Sequence, residues 1–381
     1  DMESIAVDQT NEGGVESFGG WAMVEAQLPT EYRELAVEKG ILKPSVPKQL
    51  GAKVTDISQV LRLAFYHVGT NSSLRIATAA AFAANVISMS PVALHKWMRK
   101  LGPYAADLLA LMLNATVRFA AERWAGFVIR VVDATVITNP GACRTTARAH
   151  YAITLSNLRP EQIYVTDETG GETFRRFRVE KGDLWMGDRA YANAPGIAHV
   201  VSQGGEVLVR HNRGSLPLFG KTGKRIDTLR KLALIKKRGQ VREWTVWVRP
   251  RDGDPIKGRL CAVWLPKDKA EEARERLRKE MGKKVTAEAL KAAEYVTVFT
   301  TVSRDRLSKE RVMELYGLRW QVELHIKRDK SIADLNALPN FRPDTIFSWL
   351  LIKLLLTQIA RQIASPEVFS PRSRPQQHSA E

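Results

Sequence analysis

The chain has 381 residues, enough for two or three domains with cores of their own. Hydrophobic residues make up 44% and charged residues 26%, the balance of a folded, water-facing protein. Its 58 Lys+Arg against 41 Asp+Glu leave a formal charge of +17, which predicts a polyanionic partner, nucleic acid before an anionic membrane.

Other classes are disfavoured early. Cys143 and Cys261 stand 118 residues apart, so neither a disulfide framework nor a cysteine zinc site is expected. The seven His show no metal-ligand spacing, so any metal would be a hard cation held by carboxylates. The longest apolar stretch, Phe347–Ala360, is broken by Lys353 and Gln358 and is too short to span a bilayer, so no membrane contact is expected. The N-terminus lacks the basic region of a signal peptide.

Residues 1–27, with two Gly-Gly pairs and little periodicity, are expected to form a loose arm. Residues 28–126 read as a helical domain. Thr30 and Glu31 open one helix, Asp56 caps another running to His67, and an Ala-rich helix covers Ser73–Ile87. Ser90 as N-cap and Pro91 at the first turn start a basic helix with His95, Lys96, Arg99 and Lys100, expected to end at Gly102-Pro103. Helix, short turn and basic helix give a helix-turn-helix outline, which an ordinary bundle with a basic rim would share.

From Phe127 the pattern changes to β. Phe127–Ile137 is β-branched and apolar with Asp133 inside it. A carboxylate buried there needs a cation, hydrogen bonds or an opening to solvent. His150–Leu155 and Gln162–Asp167 read as antiparallel strands joined near Asn157–Pro160, and Thr169–Glu172 leads into a short helix. Asp183–Asp188 is a strand ending in Gly187-Asp188-Arg189-Ala190-Tyr191, and Glu206–Asn212, with Arg210, is a fifth. Residues 127–212 form the first part of a core, and residues 213–293 an inserted, mainly β subdomain. Within it, residues 221–251 hold eleven Lys/Arg, among them Lys236, Lys237 and Arg238, against two acidic residues. Strands Glu243–Arg249 and Arg259–Leu265 interleave Trp with this charge, which suits a clamp on DNA backbone and bases or a solvated basic face. An exposed charged helix over Lys267–Lys284 follows, then a strand, Tyr295–Thr301. Residues 294–364 complete the core, with a Leu-rich helix over Thr345–Ile363, and the Pro/Ser/Gln composition of 365–381 predicts a disordered tail.

Between that strand and the linker 336–343 lies a helical stretch, Arg311–Ser331. At about 100° per residue, Tyr316, Arg319, Trp320, Glu323, Lys327 and Lys330 share one face, with Leu315, Leu318, Val322 and Ile326 towards the other. One carboxylate among cations suits a metal ligand or base beside a phosphate, or a solvated face of helix-spaced ion pairs.

The spacing Tyr316-x2-Arg319-x3-Glu323-x6-Lys330 resembles the Tyr-Arg-Glu-Lys signature of DDE transposases of the insertion-sequence-four group, and Asp188-Arg-x-Tyr191 resembles the family's second-aspartate box. The resemblance implies a ribonuclease-H-like mixed α/β sheet flanked by helices, interrupted by the insertion and preceded by the helical domain as an end-binding module. It also implies that Asp133, Asp188 and Glu323 hold two Mg²⁺ ions, with Mn²⁺ as a substitute, and cut and rejoin DNA at phosphodiesters. Tyr316, Arg319 and Lys330 would meet phosphates at the transposon end, with Trp320, Lys327, Arg210, Lys236, Lys237, Arg238, His95, Lys96 and Arg99 as further DNA contacts. Arg189 and Tyr191 would support the second Asp and border the DNA, and Tyr295 would pack in the core or stack on an extruded base. The partners implied are double-stranded DNA, both transposon end and target, and a second copy in a paired-end complex. The location implied is the prokaryotic cytosol, at the nucleoid. A ribonuclease-H-like structure-specific nuclease would share the carboxylates but not the Tyr-Arg-Glu-Lys face. A silent DNA-binding derivative would show a broken carboxylate set, and none of the three is missing.

Overall fold

The computed structural model describes residues 20–42, 54–117, 125–138, 146–156, 158–335, 338 and 343–364. Most of the expected arm, Asn157 in the first β-turn, most of the linker, Cys143 and the tail 365–381 lie outside the described residues. The chain divides into two compact units, one of Asp1–Thr116, Ile137–Thr145 and Arg328–Glu381, the other of Val117–Val136 and Thr146–Lys327.

In the first unit several helices start where side chains can take up free backbone N–H groups, though the first two have no side-chain cap. Helix α1 (Trp21–Glu25) lies inside the stretch expected to be a loose arm, and α2 (Tyr32–Glu38) follows. Asp56 caps α3 (Ile57–Gly69) by accepting from the Ser58 N–H at 2.9 Å. Ser73 caps α4 (Leu74–Ala83), and Ser90 accepts from the Ala93 N–H at the start of α5.

Helix α5 (Pro91–Val117) does not stop at Gly102-Pro103 as expected but continues for 27 residues. An interior proline costs about 3 kcal/mol. Leu101, Tyr104, Leu108, Leu109 and Met112 are all buried because the helix continues, and each large side chain contributes about 1.5–3 kcal/mol. Gly102 permits the packing: a Cβ there would sit 2.9 Å from Ser348 Oγ on α12 (Pro343–Ile363). Helix α12 packs on α3. Its stretch Asp344–Ile363 is long and apolar enough to cross a membrane, but 67% of that stretch is buried in the protein, as in a core helix.

In the second unit eight strands make one mixed sheet: β1 (Val128–Ile137), β2 (Ala147–Thr154), β3 (Arg159–Asp167), β4 (Asp183–Gly187), β5 (Glu206–Arg210), β6 (Val241–Val248), β7 (Ile256–Trp264) and β8 (Tyr295–Thr300). Their order is β3-β2-β1-β4-β5-β8-β7-β6. Strands β1, β4 and β5 run parallel, while β2/β3 and the β5/β8/β7/β6 pairs run antiparallel. This mixed sheet is consistent with a ribonuclease-H-like transposase core. The strands of the insertion do not form a sheet of their own. They extend the main sheet through β8, because β7 and β8 pair over six residues from Arg259↔Thr300 to Trp264↔Tyr295.

A 3-10 turn, Phe174–Arg176, replaces the short helix expected after Thr169–Glu172, and α6 (Ala194–Ser202) joins β4 to β5. Helices α7 (Thr228–Leu232), α8 (Lys267–Met281) and α9 (Ala287–Ala293) fall within residues 213–293. Phe174, Phe177, Trp185 and Tyr191 fill the core on one face of the sheet. Asp183 has a structural place: Arg130 bridges it to Glu161, all three buried.

The stretch Arg311–Ser331, expected as one helix, is two: α10 (Lys309–Gly317) and α11 (Arg319–Ile332). At the break the Leu318 N–H bonds the Leu315 carbonyl, three residues back, at 3.0 Å. Leu315, Val322 and Ile326 are buried as expected, whereas Leu318, expected on the core side, is 41% exposed. Tyr316, Arg319 and Glu323 still line one cavity across the break.

Replacing Gly102 with Val should force α5 and α12 apart and cost about 1–3 kcal/mol. Thermal denaturation checks this, and an unchanged melting temperature would show that the two helices do not meet there.

Candidate active site

Asp133 projects from the middle of β1, between Val132 and Ala134, and accepts from the Ala134 N–H at 2.9 Å. Asp188 stands one residue beyond β4 and accepts from the Ala190 N–H at 2.8 Å, which fixes the turn. Gly187 lets this turn close over Tyr191, since a Cβ on Gly187 would come 2.8 Å from Tyr191 Cβ. Glu323, in the second turn of α11, is ion-paired with Arg319, whose guanidinium lies 5.8 Å from the Tyr316 ring centre.

Asp133 and Arg319 both lie within the electrostatic reach of Asp188 and Glu323. Burial pushes the Asp133 carboxyl up to about 6; the Ala134 N–H and Arg319 oppose this, and the charges of Asp188 and Glu323 add to it. Burial opposes the charge on Arg319, but Tyr316, Glu323, Asp133 and Asp188 outweigh it and raise its pKa. A strand interior, a strand end and a helix face thus converge on one electrostatic neighbourhood. Among the described residues no three His, Cys, Asp or Glu side chains are gathered closely enough to ligate one ion. Glu323 is turned to Arg319 instead. The donor set nevertheless fits a hard divalent cation, because it is all carboxylate oxygen and burial, more than the neighbouring acids, makes the Asp133 charge costly without a counter-ion.

A cavity of about 740 Å³ opens beside the carboxylates, walled by Asp188, Glu323, Arg189, Arg210, Tyr316 and Arg319. Burial drives the Arg210 pKa down to about 10, the nearby Arg189 and Arg319 push the same way, and Tyr316 opposes them. The Arg210 Nε has no partner, and its Nη2 reaches only the Tyr295 carbonyl, at 3.4 Å. A half-buried guanidinium on a cavity wall, without a carboxylate, has the chemistry to accept an anion.

Several expected contacts are placed otherwise. Tyr191 is fully buried, so it is no DNA contact; it packs 5.2 Å from Phe174, ring centre to ring centre, beneath Asp188. Tyr295 is 6% exposed and stacks on Trp264 at 5.8 Å, and its edge lines the cavity. Arg238 is committed to the fold: it lies over Trp264 at 4.5 Å, donates to the Leu265 carbonyl at 2.7 Å and pairs with Glu294. Arg99 pairs with Asp344 at 2.7 Å, and His95 is half-buried. Arg189, Trp320, Lys327, Lys96, Lys236 and Lys237 are exposed. Lys330 falls in the last turn of α11, within the helical unit, whereas Tyr316, Arg319, Glu323 and Lys327 belong to the sheet unit.

Sequence reasoning missed three groups near the site. Arg213 and Arg276 also wall the cavity. Glu172, half-buried, has its pKa raised by burial and by Asp188, against Arg148. The Arg210–Arg213 run could have pointed to Arg213. No local signal separates Arg276 from the other charges of α8.

The model of the transposase DDE domain matches residues 124–359, which include all three carboxylates. The chain belongs to the DDE transposase family. It is 32% identical over 373 residues to the transposase for insertion sequence element IS421 of Escherichia coli, covering 94% of this chain and 97% of that protein. It is 31% identical over 372 residues to InsL of insertion sequence element IS186A from Escherichia coli strain K12, with the same coverage. These matches are consistent with the insertion-sequence-four group. The protein is therefore a DNA transposase, an enzyme that cleaves DNA and transfers strands, and its domain implies dependence on a divalent metal.

In this transposase a Met at position 210 should relieve the half-buried charge that no carboxylate pairs. Arg210→Met is expected to raise stability by about 1–2 kcal/mol, a few degrees in melting temperature, while weakening DNA binding. Calorimetry and a DNA titration check it together; a lower melting temperature would mean the guanidinium is satisfied where it lies.

Proposed function

We propose that Asp133, Asp188 and Glu323 are the catalytic carboxylates of this transposase and together hold two Mg²⁺ ions, with Mn²⁺ as a substitute. The observation that carries this reading is their mutual electrostatic influence, registered at Asp133, beside a cavity that Arg189, Arg210 and Arg319 also line. Bound divalent ions would supply an activated water or 3′-hydroxyl and stabilise the leaving oxygen.

The chain's own residues do the rest. Arg319, now paired with Glu323, would exchange that carboxylate for a DNA phosphate and so release Glu323 to face Asp133 and Asp188. Arg210 and Arg189 would receive the backbone deeper in the cavity, with Lys327 and Lys330 along the continuing helix. Tyr191 would hold the Asp188 turn from below. Tyr295, stacked on Trp264, would form part of the cavity wall. The helical unit, with the capped start of α5 carrying Lys96, would contact the transposon end, and the insertion, with Lys236 and Lys237, its flanking backbone. Two copies would act together on paired ends, in the bacterial cytosol at the nucleoid.

Amide variants test the carboxylates. Asp133→Asn, Asp188→Asn or Glu323→Gln should each cut end cleavage in Mg²⁺ roughly 1,000-fold, about 4 kcal/mol of transition-state stabilisation, and leave end binding nearly unchanged. A Glu323→Gln protein that still cuts would end this assignment and leave Glu323 only its ion pair with Arg319, a pairing that on a solvated helix face is worth only about 0.3–0.5 kcal/mol.

The basic insertion is tested by salt. Changing Lys236 and Lys237 to Gln should flatten the slope of log K against log salt by about 0.9 for each phosphate that is no longer neutralised. An unchanged slope would make these lysines a solvated face. Arg238 is left in place, since its removal would disturb Trp264 and Glu294.

A further inference from the structure

The insertion carries a side chain that the proposed chemistry does not use. Arg259 on β7 is 7% exposed, yet its guanidinium leaves no nitrogen idle. Nε donates to the Val302 carbonyl at 2.9 Å, and Nη2 donates to the Leu307 carbonyl at 2.8 Å and the Ser303 carbonyl at 3.3 Å. Nη1 donates to Glu243 on β6 at 2.6 Å. Glu243 also takes Arg304, from the same loop, at 2.5 Å.

Two strands of the insertion therefore grip one loop, Val302–Leu307, from both ends. That loop runs directly into α10: Ser308 is its N-cap and accepts from the Arg311 N–H at 3.3 Å. Helix α10 packs across β5, β6, β7 and β8 and ends at Tyr316 and Gly317, after which α11 presents Arg319 and Glu323. The loop also reaches the start of β1, where the Arg306 guanidinium lies 3.6 Å from the Phe127 ring centre. No slack exists beneath the anchor. A Cβ on neighbouring Gly258 would come 2.5 Å from the Phe299 ring and 2.8 Å from the Thr300 carbonyl, so β7 lies hard against β8.

We propose that Arg259, oriented by Glu243, is a positioning residue of the active site: it fixes the Val302–Leu307 loop and thereby sets where α10 and α11 present Arg319 and Glu323. The insertion then has a second task beside DNA contact, that of registering the third carboxylate against Asp133 and Asp188. This rests on the catalytic reading of Glu323 above. Lysine cannot substitute, because one ammonium cannot span three carbonyls and a carboxylate held in the plane of a guanidinium fork.

The experiment uses full-length Arg259→Lys and Glu243→Gln proteins, with hydrogen–deuterium exchange, end binding and end cleavage measured on each. In Arg259→Lys, amides of 309–332 should exchange about 5-fold faster or more, with β4 and β5 unchanged. Cleavage should fall about 10- to 100-fold with end binding within about threefold, and the Mg²⁺ concentration for half-maximal cleavage should rise, as for a displaced reacting group. Glu243→Gln keeps the three carbonyl contacts and should show the same pattern, but smaller. Cleavage by Arg259→Lys within about twofold of wild type would overturn the proposal. So would faster exchange spread equally over β4 and β5, which would make Arg259 a residue of general stability. Should Arg259→Lys fail to fold, Glu243→Gln decides, and unchanged exchange and cleavage there overturns the idea. A Glu323→Gln protein that cleaves normally would sink the carboxylate assignment instead, while the exchange result on 309–332 would still report whether Arg259 anchors the helices.

Discussion

A carboxylate in the middle of a buried strand constrains everything around it. Asp133 sits where its neighbours Val131 and Val132 are fully buried, and burial pushes its pKa up to about 6. It remains tolerable there because Arg319 is brought near it on a separate helix and the Ala134 N–H bonds it. The remaining acidic groups, Asp188 and Glu323, raise the local negative charge further, which is the condition a hard cation answers. The surrounding cations, Arg189, Arg210 and Arg319, line the cavity beside them and suit a phosphate backbone. A transposase needs both signs at close quarters, and the sheet separates them by placing acids at strand centre and strand end and guanidinium groups on the cavity walls.

Geometric control of that arrangement comes from the second half of the sheet. Pairing of β8 with β5 and of β7 with β8 makes the insertion a continuation of the core. A rigid extension can transmit position, whereas a tethered subdomain could only contribute surface. The buried Arg259–Glu243 pair is costly to desolvate, and its cost is offset only because every guanidinium nitrogen finds an acceptor. The same logic governs the Arg130–Asp183–Glu161 cluster beneath β1 and β4, where two carboxylates share one guanidinium. The two clusters hold opposite ends of the site: the strands that carry the aspartates and the loop that leads to the glutamate.

The helical unit depends on a different balance. Gly102 and Pro103 are both poor helix residues, and locally they spell a stop. Burial of Leu101, Tyr104 and Leu108 overrides them, with Gly102 itself supplying the close approach to α12. Tertiary packing worth several kcal/mol prevailed over a local preference of about 3 kcal/mol.

By itself the sequence determined most element types, the caps at Asp56 and Ser90, the central strand around Asp133, and the grouping of Tyr316, Arg319 and Glu323. These are local: periodicities of two and 3.6 residues and cap chemistry operate over a few neighbours, and the family signature is a fixed spacing along one short stretch of chain. Only the tertiary structure decided that β6 and β7 join the main sheet, that Tyr191 is consumed by packing while Arg238, still exposed, is tied to Trp264 and Glu294, and that Arg210 is left half-buried without a carboxylate. It alone also brought Glu172, Arg213 and Arg276 near the site. Each of those outcomes depends on which surfaces meet across tens of residues, and a basic or aromatic residue looks the same in sequence whether its partner is DNA, a ring or a carbonyl. Partner choice is set by distance and desolvation, and both exist only once the chain has folded.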